Sequence, residues 1–166
     1  VSRPAQPLVF LIGTGAVSGS ASGAGISESV TSPSRSRRSQ WPDREAAYAG
    51  LHGRGIFKGW TDAALRAYVE NAMKRTEAGV ELKCRPSREA DIFGSFPRRL
   101  WPSLARIQTP TQVLYGERSY PFVAKSVARC CASNPHFSGQ VVAGGHCFMQ
   151  EFPAASAARV RDFLLR

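Results

Sequence analysis

Few residues in this chain have the type and setting to do chemistry, and they gather near its C-terminus. Gln140 to Glu151 reads QVVAGGHCFMQE: a β-branched run that begins at Phe137 ends at Val142, Ala143 to Gly145 supply a bend, and His146 follows. That pattern is a strand delivering a histidine onto a loop. Glycine reaches backbone conformations that other residues avoid, so the imidazole can stand off a sheet edge instead of packing inside it. An ordinary pKa near neutrality suits such a histidine to general-base work. Taken alone, a loop histidine more often only caps or hydrogen-bonds, and the surrounding chain has to decide. Cys147 beside it is expected to face away and pack as a buried thiol. Glu117 is the carboxylate of the loop that follows Gly116, and Ser119 lies two positions further on.

The elements that must position these residues follow a regular order from Ile107 onward. Thr111 to Tyr115 is a strand closed by Gly116, Pro121 to Ser133 a helix with proline in its first turn, Phe137 to Val142 the next strand, and Pro153 to Leu165 a last helix. Strand and helix in alternation imply parallel strands joined by right-handed crossovers. In such sheets the functional loops lie beyond the carboxyl ends of the strands. Glu117 to Tyr120 and Gly144 to Gln150 both occupy that position, so they are expected to be neighbours in space. Glu151 is read as a charge favourably placed at a helix N-terminus.

Upstream, Pro7 to Ile12 (PLVFLI) is a compact apolar run bounded by Pro and Gly, and reads as a buried strand within residues 1–12. Residues 13–40 turn to Gly, Ser, Ala and Arg, a composition that buries little and is expected to form a mobile loop or linker. Residues 41–100 read as helical. Asp43 to Leu51 is a short amphipathic segment, and Thr61 to Arg75 a longer one behind a Thr61 cap, with Leu65, Tyr68, Val69, Ala72 and Met73 on one face. Val80 to Cys84 could extend, and Pro86 opens a further short helix through Phe93. Residues 101–166 complete the chain as strand, helix, strand, helix.

Bulk composition bounds the classes. The 166 residues, 43% hydrophobic and 10% aromatic, are enough for one ordinary domain with a core. A formal charge of +10, from 22 Lys and Arg against 12 Asp and Glu, favours anionic partners. Four cysteines at 84, 130, 131 and 147 lack zinc-ligand spacing, and Cys130 and Cys131 are expected to be small buried hydrophobes in a reducing, cytoplasmic setting. No apolar run has the length to span a bilayer, and no signal peptide is recognised, so no membrane partner is expected. Starting at Val1, the chain is read as a fragment.

IQTPTQVLYG from Ile107, followed by ERS, then VVAGGHCFMQEFP and a closing helix ending RDFLLR, resembles the C-terminal third of an α/β-hydrolase. The segments SQWPDREAAYAGLHGRGIFKGW, LRAYV and VELKCRPSREADIF resemble the cap of bacterial members of that superfamily. Together these cover roughly residues 37–166. The resemblance implies an α/β class and a partial α/β-hydrolase fold: parallel strands with flanking helices plus a helical cap over 41–100. It implies a serine on a G-x-S-x-G turn that attacks a carbonyl, a histidine that takes its proton, and a carboxylate that orients the histidine. His146 takes the place of that histidine. Glu117 is the candidate acid, although the family's aspartate position here holds Ser119. The sequence has no G-x-S-x-G; Gly25-Ile26-Ser27-Glu28-Ser29 is nearest and reads as linker. A nucleophile is therefore expected upstream of Val1, with little or no activity in this chain alone. The implied substrate is a small molecule, an ester or related acyl or C–C compound, bound in an apolar pocket shaped by Trp41, Phe57, Trp60 and Tyr68 over His146. No metal or organic cofactor is needed.

Two other readings compete. Gly13-Thr14-Gly15-Ala16-Val17-Ser18-Gly19 after PLVFLI resembles a dinucleotide-binding turn, but no helix-forming run follows it. Thr31 to Arg38 (TSPSRSRR) would make the chain a non-catalytic relative with a basic Ser/Arg arm for nucleic acid or another acidic partner. So short a charge run without interleaved aromatics is usually a solvated segment, and nucleic acid is not the expected partner.

Overall fold

A computed structural model describes residues 8–11, 36–95 and 99–165. In chain order the elements are β1 (Leu8–Leu11), β2 (Gln40–Trp41), α1 (Arg44–Leu51), α2 (Asp62–Ala72), β3 (Met73–Thr76), β4 (Gly79–Leu82), α3 (Pro86–Gly94), α4 (Leu100–Leu104), β5 (Thr111–Arg118), α5 (Pro121–Ser133), β6 (Phe137–Gly145), α6 (Phe148–Glu151) and α7 (Pro153–Leu164). The chain divides into two compact units, one of Val1–Gly19 with Pro97–Arg166, the other of Ser20–Phe96. The dinucleotide-like turn, Ser27 and most of the basic arm lie outside the described residues.

In the first unit the strands form one parallel sheet in the order β1-β5-β6. The sequence dictates this order locally. Val113 and Leu114 on the central strand are buried, whereas Val141 is exposed on β6, which among the described residues pairs only with β5. Helix α5, with Pro121 in its first turn, makes the crossover and buries Val123 and Val127 against Val113 and Phe137. Cys130 belongs to this cluster, with Cys131 packed beside it. A Cβ on Gly139 would meet Val127 Cγ1, so glycine there lets α5 approach the strand closely. Asn134, 4% exposed, secures the turn after α5: its Nδ2 donates to the carbonyls of Leu104 and Ile107 at 2.9 and 2.8 Å, and its Oδ1 accepts from the His136 N–H.

The second unit corrects the largely helical expectation for its region, in which only Val80 to Cys84 was expected to extend. Helix α2 keeps its Thr61 cap, whose hydroxyl accepts from the Ala64 N–H at 3.2 Å, but it ends at Ala72 instead of continuing to Arg75. Met73 to Thr76 instead pairs antiparallel with Gly79–Leu82, and β2 adds to the other side of β4. Two features favour the hairpin over another helical turn. Gly79 has φ +130, out of reach of a helix, and Lys74 reaches across the strands to Glu81 at 2.7 Å. Met73 is fully buried as the first residue of β3 and also falls on the apolar face that helical spacing draws, so spacing alone misled at this point. Trp41, Ala47, Phe57, Leu65, Val69, Met73, Val80 and Leu82 form the core, and Trp60 and Tyr68 pack against it.

Candidate active site

Two adjacent parallel strands end side by side and bring the expected loops together. β5 and β6 stay in register from Thr111 with Phe137 to Gly116 with Val142, then shift so that Arg118 pairs with Gly145. Both strands run further than expected, β5 past Gly116 to Arg118 and β6 to Gly145. A Cβ on Gly116 would collide with the carbonyl groups of Gly144 and Gly145, so this close approach of two backbones requires glycine. Gly144, at φ +121, then turns the chain over Phe148 and releases His146 from the strand.

His146 is half-buried, and its Nδ1 lies 2.8 Å from the Ser119 Oγ. The Tyr120 ring meets the imidazole edge to face, centroids 4.8 Å apart, and also stacks on Phe122. Burial holds the His146 pKa below its usual value near 6.5. A neutral imidazole at physiological pH follows, which is the form able to accept a proton.

Glu117 is placed differently from the acid that the resemblance implies. It is about half exposed, and its carboxylate meets the Arg118 guanidinium at 2.6 Å. The residue that meets His146 Nδ1 is Ser119. The sequence places Ser119 at the family's acid position, but only Glu117, the carboxylate of that loop, reads as the candidate acid. Glu151 is a second residue whose part was missed. Its side chain is 9% exposed, and its two carboxylate oxygens accept from the Gly145 N–H at 2.9 and 3.0 Å while Arg118 Nη2 approaches at 3.4 Å. It clamps the backbone directly before His146, where sequence reading had only a helix-dipole charge. The available signal was a carboxylate within reach of a glycine-rich turn.

Phe148 is almost fully buried and Cys147 is 3% exposed, so both serve the core. Met149 lies on a groove with Pro153, Val160 and Leu164. Trp41 and Phe57 are buried in the second unit, where Phe57, Trp60 and Tyr68 contact one another with centroids 5.0 to 5.9 Å apart. Those aromatic rings are packing first. Among the described residues no cluster of three metal-ligating side chains occurs, and no helix is long and apolar enough to cross a membrane.

No family model and no curated protein matches the sequence. Solved structures do match. An E-2-(acetamidomethylene)succinate hydrolase superposes with a TM-score of 0.76 at 19% identity, over 97% of this chain and 58% of its own. The thioesterase domain from the curacin biosynthetic pathway gives 0.63 at 18% identity, over 94% and 57%. An esterase from Mycobacterium tuberculosis gives 0.60 at 19%, over 84% and 47%. The chain thus spans about half the length of these proteins, from 47% to 58%. With its parallel β1-β5-β6 sheet, crossover helix and loop-borne histidine, it has a partial α/β-hydrolase fold.

Proposed function

We propose that this chain provides the histidine side of a serine-type hydrolase site, acting on an ester or related acyl or C–C bond of a small apolar substrate. The observation that carries the reading is the Ser119–His146 hydrogen bond at the carboxyl ends of adjacent parallel strands. In this reading Nδ1–H donates to the Ser119 Oγ, which leaves Nε2 to take the proton of an attacking hydroxyl and return it to the leaving group. Ser119 orients the ring in place of a carboxylate, and Glu151 holds the loop that carries it. We further propose that the nucleophilic serine lies on chain beyond these 166 residues. The larger span of the structurally similar hydrolases supports that placement. A basic arm for nucleic acid is not favoured, because Arg37 is paired with Glu89 at 3.0 Å and Arg38 donates to the Gln40 carbonyl at 2.9 Å.

Turnover of p-nitrophenyl butyrate tests the proposal. The 166-residue chain is expected to be near the uncatalysed rate. A longer protein that adds a serine elbow is expected to turn over and to lose about a thousandfold in kcat on His146→Ala. Appreciable turnover by the 166-residue chain, abolished by His146→Ala, would put the nucleophile inside it and overturn the placement. A longer protein indifferent to His146→Ala would overturn the role of the histidine.

A further inference from the structure

The Ser119 hydroxyl meets one atom of the His146 imidazole and brings no charge. A serine hydroxyl rotates and can donate or accept, so it pins neither the tautomer nor the tilt of the ring as a carboxylate does. A histidine held by such a partner needs a second contact if its Nε2 is to point in one direction. We propose that Tyr120 supplies it, as a positioning residue whose ring braces the imidazole and fixes the direction of Nε2. The inference deepens the reading of His146 as a hydrolase base and rests on that reading for its catalytic meaning.

Three observations carry the assignment. First, the two rings meet in a preferred geometry. Their centroids lie 4.8 Å apart and their planes stand at 64°, the edge-to-face arrangement favoured by aromatic pairs. Tyr120 directly follows Ser119, so the loop after β5 delivers both a hydroxyl to Nδ1 and a ring to the same imidazole.

Second, Tyr120 is itself held, by backbone and by ring. The proline that follows it keeps its backbone out of the helical region, and it stands extended at φ −61 and ψ 139 directly before α5. Its ring stacks on Phe122, centroids 5.5 Å apart and planes within 8°. Phe122 packs in turn against the cluster of Val113, Val123, Val127 and Phe137. A line of contacts thus runs from the core of the first unit through Phe122 and Tyr120 to His146.

Third, Tyr120 is 46% exposed, so core burial does not account for where its ring stands. His146 draws part of its cover from that ring, and burial alone lowers its pKa. Glu117, Arg118 and Glu151, the charged groups of the two loops, pair among themselves.

The test uses the 166-residue chain with ¹⁵N-labelled histidine. Long-range ¹H–¹⁵N correlations report which ring nitrogen of His146 carries the proton, and the Cε1–H resonance followed against pH reports its pKa. The Nδ1–H tautomer is expected to dominate in the wild type. Tyr120→Phe keeps the ring and is expected to match it. In Tyr120→Ala the preference for Nδ1–H should fall by about threefold, the worth of one edge contact, and the pKa should rise by about half a unit as water reaches the ring. Tyr120→Leu keeps apolar cover without an aromatic edge, so its tautomers should mix while its pKa moves less. It also decides the question if the alanine variant does not fold. The His52 and His136 signals should stay in place throughout. A tautomer ratio unchanged in Tyr120→Ala and Tyr120→Leu would overturn the proposal. So would a Tyr120→Phe variant as perturbed as Tyr120→Ala, since the hydroxyl and not the ring would then be responsible. Turnover enters none of these readouts. A longer protein indifferent to His146→Ala would remove the base and leave the brace, whereas unmoved resonances would remove the brace and leave the base.

Discussion

The Ser119 Oγ and the His146 Nδ1 lie 2.8 Å apart, one at the end of β5 and the other just beyond β6. A hydroxyl thus stands where the resemblance to α/β-hydrolases implies a carboxylate. The two differ in what they do to the ring. A carboxylate fixes the Nδ1–H tautomer and stabilises the imidazolium, whereas a hydroxyl can donate or accept and adds no charge.

Ser119→Asp is expected to raise the His146 pKa by about one to two units, because the new charge would face Nδ1 at hydrogen-bond distance. Ser119→Ala should leave burial dominant and the pKa low. NMR titration of the His146 Cε1–H across both variants measures the difference. An unchanged pKa in Ser119→Asp would mean that the side chain at 119 does not face the ring in solution.

Stability should depend on pH through the same histidine. Burial lowers its folded pKa below the usual value near 6.5, so between the two values the unfolded chain binds more protons than the folded one. The contribution of the neutral ring is therefore present above about pH 6.5 and is lost as pH falls through the lower folded pKa. Urea midpoints at pH 7.5 and 5.5 should differ in that sense, and His146→Gln should reduce the difference. A larger midpoint at pH 5.5 would contradict the direction of the shift.

Glu151 is expected to matter to the loop more than to the surface charge. Its carboxylate accepts from the Gly145 N–H and is nearly buried, so Glu151→Ala leaves a donor unsatisfied and should destabilise by about 1–3 kcal/mol. Glu151→Gln retains one acceptor oxygen and should lose less. Chemical denaturation orders the three proteins, and equal stability for Ala and wild type would remove the clamp. By contrast Glu117→Ala, breaking an exposed pair with Arg118, should change stability by no more than about 0.5 kcal/mol.

Much of the first unit was legible because its signals are local and mutually consistent. Apolar runs closed by glycine, proline at helix starts and parallel alternation brought Glu117–Tyr120 and Gly144–Gln150 together, and the Ser119–His146 bond is that juxtaposition realised. What escaped was partner choice. Nothing in the order Gly116, Glu117, Arg118, Ser119 says that the carboxylate takes the neighbouring guanidinium while the serine takes the imidazole. That outcome depends on alternating strand directions and on the register shift after Gly116. In the second unit the failure lay in the period. Met73 satisfies a helical face and a strand face equally, and the decision was made downstream by Gly79 and by the pairing of β3 with β4.

The hairpin offers the strictest check on that account. A Cβ on Gly79 would run into the carbonyl groups of Trp41 and Pro42, and its φ of +130 disfavours any side chain. Gly79→Ala combines backbone strain with overpacking and should destabilise the second unit by about 2–4 kcal/mol. Gly53→Ala, at φ +68 in open space, suffers the conformational penalty alone and should lose about 1 kcal/mol. The contrast separates steric closeness from backbone preference, since both glycines have positive φ and only one faces neighbouring backbone. Leu65→Ala, which empties a fully buried site on α2, should cost about 2–5 kcal/mol and serves as the reference for core loss in the same unit. If Gly79→Ala proves no worse than Gly53→Ala in urea denaturation, the β4 turn does not pack against the Trp41–Pro42 backbone as described, and the termination of α2 at Ala72 needs another cause.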